Sequence, residues 1–337
     1  MELYGGIDLG VTSSAFCLIN NKGQVVAEDE LPTEEYFFER TFGGLDTRRV
    51  VVEACSLAEW VCQLLEKLGH QAIIIDARRA KAVVRAKRKT DKIDARKLAQ
   101  MARTGWYNKV HRKSAAAREL RSKHTIRQGL VSMRNKLNNQ IRGIFRAHGV
   151  RVGHVPEGAF YKYIEQFQDQ IPAGVRDGIA TLLRLWDQVT REVHDFTQRL
   201  KKEVKQDDRC RHLMSVDGIG PITASTFIAT IDDPDRFENG DQVAAYLGLV
   251  PRVYQSGELR YLGRITKEGD RLLRALLVES ATVLLTRVRR RNRLKTWGQR
   301  IRKKKGFGKA RVAVARKLAC LLYTMWVSQE PFNPVKA

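Results

Sequence analysis

The chain has 337 residues, of which 43% are hydrophobic and 29% charged, so it is globular and long enough for two or more domains. Its 61 Lys and Arg against 37 Asp and Glu give a formal net charge of +24, which favours a polyanionic partner and predicts binding that weakens steeply with salt. Five scattered cysteines argue against a disulfide framework or a zinc site, and without a signal-peptide pattern or long apolar run we expect a cytoplasmic protein that binds no membrane.

The N-terminal part of the chain predicts an α/β domain with a mixed sheet. Three short apolar runs separated by turn residues are typical of an antiparallel meander, and two later runs flank a segment of helical period at 57–68. The five runs lie at 3–10, 15–19, 24–28, 50–52 with Glu53 at its end, and 72–75.

Two aspartates, Asp91 and Asp94, lie three residues apart in a basic stretch. Thr90 can cap a helix whose first turn carries Asp91, and the spacing then places both carboxylates on one face. Like charges side by side repel each other, and a divalent cation such as Mg²⁺ relieves that repulsion. The alternative is that Asp91 serves the helix N-terminus while Asp94 pairs with neighbouring basic side chains.

Two further acids strengthen the metal hypothesis. Asp8 lies inside the first apolar run, where an ionised carboxylate is costly unless it is paired or metal-bound. Glu53 ends the fourth run, so both acids could meet the helix of Asp91 and Asp94 at one edge of the sheet. Taken singly, Asp8 is explained as a turn former before Gly10 and Glu53 as a strand-end charge.

The middle of the chain is predicted to be helical. The stretch 115–146 has almost no Gly or Pro, and apolar residues including Met133 recur in it at spacings of three and four. Heptad spacing from 182 to 200 predicts a coiled coil or an antiparallel helix pair, and an intramolecular hairpin explains it as well as a dimer does. The first helix is strongly basic, so its exposed face is either simply solvated or grips a nucleic-acid backbone.

At the start of the C-terminal third, the segment 213–224 predicts a helix, a tight turn with Gly218 and Gly220, and a second helix. Glycines let a backbone approach a phosphate closely, and the amides at a helix start favour an anion, although an ordinary helix turn explains so short a motif equally well. Further on, Ser256 precedes Gly257 and reads on its own as a turn residue. An amphipathic helix is predicted at 308–326.

These motifs resemble the DEDD insertion-sequence transposases of the IS110 group, which are related to the Piv-type pilin-gene DNA invertases. One departure is visible, because Ala54-Cys55-Ser56 stands where the family usually has Ala-Thr-Gly after its Glu. The matching segments are Gly6-Ile7-Asp8, Glu53-Ala54, Lys89-Thr90-Asp91, Asp94-Ala95, Leu98-Ala99 and the Gly-Leu-Val-Pro-Arg block at 248–252.

The resemblance implies an RNase H-like (RuvC-like) catalytic domain at 1–106, a helical coiled-coil linker domain at 107–206, and a mainly α transposase domain with a helix-hairpin-helix at 207–337. It implies that Asp8, Glu53, Asp91 and Asp94 bind two Mg²⁺ ions. It also implies that Ser256 is a nucleophile that forms a transient phosphoserine link to DNA, although spacing alone does not exclude the hydroxyls of Tyr254 and Tyr261. The implied nucleic-acid contacts are Gly218, Gly220, Arg252, Arg264 and Lys267.

The same resemblance implies donor and target DNA as partners, together with a structured guide RNA encoded by the element and assembly into a homo-oligomer, a dimer or tetramer. Two other functions fit the residues. One is a RuvC-like junction nuclease that cuts with metal-activated water and does not use Ser256. The other is a noncatalytic nucleic-acid-binding scaffold whose acids are structural.

Overall fold

The computed structural model describes residues 2–76, 91–256, 259–290 and 292–334. Its packing divides into two compact units, one up to Lys113 and one from Ser114 onward. Thr90, the predicted helix cap, lies outside the described residues.

The first unit is a five-stranded mixed sheet in the order β3-β2-β1-β4-β5. β1 pairs antiparallel with β2 and β2 with β3, whereas β1 and β4, and β4 and β5, are parallel, which confirms the predicted α/β layout. The elements are β1 (Leu3–Leu9), β2 (Ser13–Asn20), β3 (Val25–Pro32), α1 (Glu35–Phe42), β4 (Thr47–Glu53), α2 (Ala58–Lys67), β5 (Ala72–Ile75) and α3 (Asp91–Thr104).

Helices cover both faces of this sheet, and alternate strand residues divide between them. Ile7 and Val52 point into a core formed with α1 and α2, where Phe42 is fully buried. Val51, the neighbour of Val52, points to the opposite face and packs with Ala99 of α3. This division follows from the two-residue period of a strand.

Contact between β1 and α3 depends on the absence of a side chain at Gly6. A Cβ atom built there would lie 2.1 Å from the backbone N of Ala99 and 2.3 Å from the carbonyl O of Ala95. Glycine therefore allows the helix to approach the strand at backbone distance.

Helix α1 was not among the predicted elements. It buries Phe38 and Phe42, which are four residues apart and therefore on one face, and Gly43 follows its last residue. This spacing is the signal that marks the helix, but eight residues give too short a pattern to separate it from a loop.

The second unit is mainly helical, as predicted for the chain after the sheet. No helix in the described ranges is long and apolar enough to cross a bilayer. The elements are α4 (Ala115–Ala147), α5 (Phe160–Glu165), α6 (Ala173–Val204), α7 (Asp208–Leu213), α8 (Pro221–Ile231), α9 (Gly240–Tyr246), β6 (Pro251–Ser256), β7 (Leu259–Ile265), α10 (Arg271–Thr286), α11 (Arg293–Lys305) and α12 (Phe307–Ser328), with short 3-10 turns at Glu157–Ala159, Gln168–Gln170 and Pro234–Arg236.

Helices α4 and α6 form an antiparallel pair within the chain. Arg127 Nε donates to Thr197 Oγ1 at 2.9 Å near one end, and Ile141 packs in a buried cluster with Ile179 near the other. Met133 lies 52% exposed, so it is not part of this core. The pairing accounts for the heptad pattern as an intramolecular hairpin, and a coiled coil between subunits stays a prediction.

Helix α8 lies at the centre of the second unit, and His124 of α4 is buried against it. The imidazole Nε2 of His124 is 3.0 Å from Ser225 Oγ, which itself donates to the carbonyl O of Pro221 at 2.7 Å. The Nδ1 atom has no hydrogen-bond partner in the described part of the chain. Burial lowers the pKa of His124 to about 4, so the ring is neutral at pH 7.

We expect Gly6→Ala to destabilise the first unit by about 3 kcal/mol, because the new methyl group overlaps the backbone of α3. Thermal or urea unfolding of the full chain measures the change. The control is Gly143→Ala in α4, where an added Cβ meets nothing within 4 Å and should be neutral or slightly stabilising. Equal stability of the two variants would show that β1 and α3 are not in backbone contact.

We expect the second unit to lose stability as the pH falls from about 6.5 toward 4. The unfolded chain binds a proton on His124 near its ordinary pKa of 6.5, whereas the folded chain resists protonation until about pH 4, so the loss reaches at most about 3 kcal/mol. Unfolding of wild type and His124→Gln across this range measures it. The variant should show a shallower pH dependence, and identical slopes would contradict the role of His124.

Candidate functional site

Asp8 and Glu53 lie side by side at the edge of the sheet formed by the C-terminal ends of the inner strands β1 and β4, here called the acidic edge. The parallel strands pair Ile7 with Val52, and the next residue on each strand is the acid. Since Val51 faces α3 and side chains alternate, Glu53 falls on the face that α3 covers, and Asp8 falls on that face with Gly6. Both acids are half-buried.

Helix α3 begins above this same edge. Its middle crosses β1 at Gly6, and Gln100, nearer its C-terminal end, donates to the carbonyl O of Gly23 in the β2-β3 turn at 3.1 Å. That turn lies beside the first residue of β1, because Asn20 pairs with Leu3. The helix therefore runs opposite to β1, and its first turn, with Asp91 and Asp94, lies toward the end of β1 that carries Asp8.

The four acids share one edge, but their side chains do not converge into a closed metal site. Within the described residues, no group of three or more carboxylate, imidazole or thiol side chains is close enough to hold a metal ion. Asp91 is exposed, and Asp94 accepts a hydrogen bond from Lys97 Nζ at 2.7 Å. This ion pair is the alternative that the sequence offered for Asp94.

The donor set nevertheless suits Mg²⁺, which binds carboxylate oxygens together with water and substrate phosphates. Asp8, Glu53, Asp91 and Asp94 supply only hard oxygen ligands, and the fold brings their backbones to one edge of one sheet face. A cation bound there would compete with Lys97 for the carboxylate of Asp94.

Two ion pairs that were not identified from the sequence fix α3 against β3, an outermost strand of the sheet. Arg96 donates from two guanidinium nitrogens to the carboxylate of Glu28, and this bidentate pair lowers the pKa of Glu28. Lys92 Nζ lies 3.7 Å from Asp29 Oδ1, one residue further along β3. These contacts orient the helix that carries Asp91, although the partners are too far apart in sequence for spacing to reveal them.

In the second unit, Ser256 is the last residue of β6 and lies opposite Leu259 of β7. Gly257 and Glu258 fall outside the described residues. Tyr254 and Tyr261 face each other across the two strands, with ring centroids 4.8 Å apart and planes at 12°. The stacked rings are 43% and 62% exposed.

The three predicted basic contacts lie at the base of this hairpin. Arg252 Nη2 donates to the carbonyl O of Thr266 at 3.3 Å, and Arg264 lies on β7. Lys267 adopts a left-handed backbone with φ of 59°, and its N–H donates to the carbonyl O of Gly248 at 3.1 Å. Arg252 and Lys267 are exposed, so their charges are accessible to a ligand.

Gly218 and Gly220 lie in a turn between α7 and α8. Gly218 has φ of 90°, and an added Cβ would lie 2.8 Å from the carbonyl O of Ser280, so glycine is required there for both reasons. Gly220 is the N-cap of α8. The order of helix, glycine turn and helix is therefore the one that the sequence predicts, whereas a DNA-binding helix-hairpin-helix stays a prediction.

Comparison with known proteins assigns these features to a class. A DEDD transposase profile named for IS110 matches residues 5–149, and a profile described as "Transposase IS116/IS110/IS902 family" matches residues 210–296. The chain is 26% identical to the transposase for insertion sequence element IS1111A of Coxiella burnetii over 97% of this chain and 90% of that protein. It is 30% identical to a probable family 20 transposase of Pseudomonas aeruginosa, over 85% and 86% respectively.

A third relative, the pilin gene-inverting protein of Moraxella bovis, is 26% identical over 45% of this chain and 47% of that protein. The acidic edge of the mixed sheet falls within the match at 5–149, which fits an RNase H-like fold. Together these findings define a transposase. The chain belongs to the IS110 family of transposases.

Proposed function

We propose that this transposase cuts and rejoins DNA phosphodiesters with Ser256 as nucleophile and with Mg²⁺ held by Asp8, Glu53, Asp91 and Asp94. The observation that carries the proposal is the parallel register that sets Asp8 beside Glu53 at the edge where α3 begins. In this proposal residues 1–106 form the catalytic domain, 107–206 a helical linker and 207–337 the transposase domain.

The chemistry is two successive phosphoryl transfers. In the first, Ser256 Oγ attacks a DNA phosphorus, its proton leaves to a base, and the bond from phosphorus to one deoxyribose oxygen breaks as that oxygen takes up a proton. In the second, the hydroxyl of another DNA end attacks the phosphoserine and releases Ser256. A pair of bound Mg²⁺ ions would offset the charge that develops on the attacking and leaving oxygens.

The phosphoserine link keeps the energy of the broken phosphodiester bond available for rejoining the strands. Because each step exchanges one phosphodiester for another phosphate ester, no bond energy is lost to hydrolysis before the strands are joined. A hydroxyl is a weak nucleophile, so the mechanism requires that Ser256 be activated by an acidic metal site, which either its own chain or a neighbouring subunit supplies. Exchange between donor and target DNA also requires more than one active site, which favours a dimer or tetramer.

The charge of the protein supports its nucleic-acid partners. The net charge of +24 and the basic helix α4 suit donor and target DNA and also a structured guide RNA. With a guide, base pairing would select the sequence while the protein binds shape and backbone. We propose that these partners meet the protein in the cytoplasm.

Two alternatives keep specific support. A junction nuclease that uses metal-activated water needs the same acidic edge but no serine. A noncatalytic scaffold is favoured by the ion pair of Asp94 with Lys97, which gives one of the acids a structural role. The two experiments that follow separate these functions.

We expect Asp8→Asn and Asp91→Asn each to lower Mg²⁺-dependent strand cleavage at least about 100-fold, because each removes a charged ligand oxygen. The substrate is DNA that spans the ends of the element, and Mg²⁺ binding by calorimetry gives a readout independent of turnover. The matched control is Asp46→Asn, an exposed acid just before β4, at the end of that strand opposite Glu53. Full activity of both variants would rule out the metal site.

We expect Ser256→Ala to abolish rejoining and the covalent protein-DNA adduct that denaturing gels detect in the wild type. Tyr254→Phe and Tyr261→Phe remove the rival hydroxyls but keep the stacked rings, so both variants should still form the adduct. Cutting by Ser256→Ala without an adduct would identify the junction nuclease. If the wild type with Mg²⁺ neither cuts nor joins DNA from its own flanking region, the scaffold is the correct function.

A further inference from the structure

A basic cavity of about 450 Å³ opens in the second unit at α11 and the segment before it. None of its lining residues belongs to the candidate metal site of the first unit or to the β6-β7 hairpin that carries Ser256. Its lining residues are Arg289, Lys295, Thr296, Gln299, Arg300 and Lys303.

The lining follows from the periodicity of α11. Four of the lining residues share one face of the helix, because Gln299, Arg300 and Lys303 lie three, four and seven residues after Thr296. Arg289 reaches the same cavity from the connection between α10 and α11.

Two of the side chains that line the cavity are held in place by hydrogen bonds to backbone carbonyls. Gln299 Nε2 donates to Leu285 O at 2.7 Å, and Lys295 Nζ donates to Val288 O at 2.5 Å. Asn292, which is 4% exposed, accepts from the N–H of Lys295 through Oδ1 at 2.6 Å, and its Nδ2 donates to Asp217 at 2.9 Å. The start of α11 is therefore ordered and tied to the turn that contains Gly218.

No described carboxylate neutralises the charges of Arg289, Arg300 or Lys303 in the cavity. Its lining contains four cations and no acid. Nearby basic residues do have acidic partners, since Arg290 pairs with Asp217 and Arg316 with Asp241. In the described part of the chain, by contrast, no carboxylate forms an ion pair with Arg289, Arg300 or Lys303. Cations that share one cavity repel each other, and an anion inside it removes that cost.

We propose that this cavity binds consecutive phosphates of a nucleic-acid backbone. Arginine forks and lysine ammonium groups are the usual phosphate contacts. Gln299 has a second amide N–H beyond the one that it donates to Leu285 O, so it adds an uncharged donor that binds phosphate oxygens without regard to sequence. The inference goes beyond the cutting chemistry proposed above and requires only that the protein binds nucleic acid. DNA and RNA present the same backbone charge, so the experiment uses both.

The test compares two double variants of the full chain that lose the same charge from the same helix. Arg300→Gln with Lys303→Gln changes the cavity, whereas Lys304→Gln with Lys305→Gln changes exposed residues outside its lining. Fluorescence anisotropy measures binding to a duplex DNA and to a stem-loop RNA at several salt concentrations. Thermal unfolding verifies that both variants fold.

We expect the cavity variant to bind at least one of the two probes about 10-fold or more weakly, with a salt slope reduced by roughly 1 to 2 units, since each lost phosphate contact removes about 0.9. The control variant should lose no more than about threefold. The weakened probe identifies whether DNA or RNA occupies the site.

Equal weakening by the two double variants would overturn the proposal, because general charge would then explain the result. Calorimetry with inorganic phosphate is a third arm, in which loss of phosphate binding by the cavity variant with unchanged DNA and RNA binding would also overturn the proposal and leave a site for a free anion. The cavity variant keeps Ser256 and the four acids, and the proposed cutting chemistry is tested separately by cleavage and adduct formation, so a negative binding result would not bear on it.

Discussion

The backbone contact between β1 and α3 is the constraint that determines where Asp91 and Asp94 lie relative to Asp8 and Glu53. Gly6 lets the helix lie directly on the central strand, and the ion pair of Arg96 with Glu28 holds the helix toward the edge strand. Together they determine where the first turn of α3 begins. The position of Asp91 and Asp94 above the ends of two parallel strands is therefore a consequence of packing further along their helix, at Ala95 to Ala99, and a larger residue at position 6 would move both acids at once.

The second unit is organised around α8, whose residues from Thr223 to Ile231 are all buried. A helix surrounded in this way cannot shift without disturbing α4, α10 and α12, so the turn before it is held firmly. Asp217 in that turn also accepts from Asn292, which caps α11. The glycine turn and the basic cavity thus belong to one connected framework, and this connection explains how mostly exposed basic side chains can form a defined surface.

The sheet of the first unit, the helix that starts at Asp91 and the helices α4, α6 and α12 could be predicted from the sequence, because each follows from local spacing. The β6-β7 hairpin and the helices α10 and α11 were not predicted. Helix α1 and the exposure of Met133 did not follow, since an eight-residue pattern is ambiguous and a helix can have more apolar positions than its partner covers. The ion pair of Glu28 with Arg96 joins residues 68 positions apart, so it depends on the register of β3 against α3, which local spacing does not encode. For the candidate site, the sequence placed the acids at one sheet edge and offered pairing of Asp94 with a neighbouring basic side chain as the alternative to a metal, and Lys97 forms that pair.

The acids and Ser256 belong to different compact units, and this division has a consequence for a mobile element inside its host. In the proposed mechanism, a chain that ends near Lys113 keeps all four acids of the metal site but has no nucleophile. A fragment from Ser114 onward keeps Ser256 but lacks the acids that would activate it. Incomplete copies of the gene would then encode proteins that are harmless to chromosomes. A fragment from Ser114 onward keeps the proposed phosphate-binding cavity, so it would compete with the intact protein for nucleic acid without cutting it.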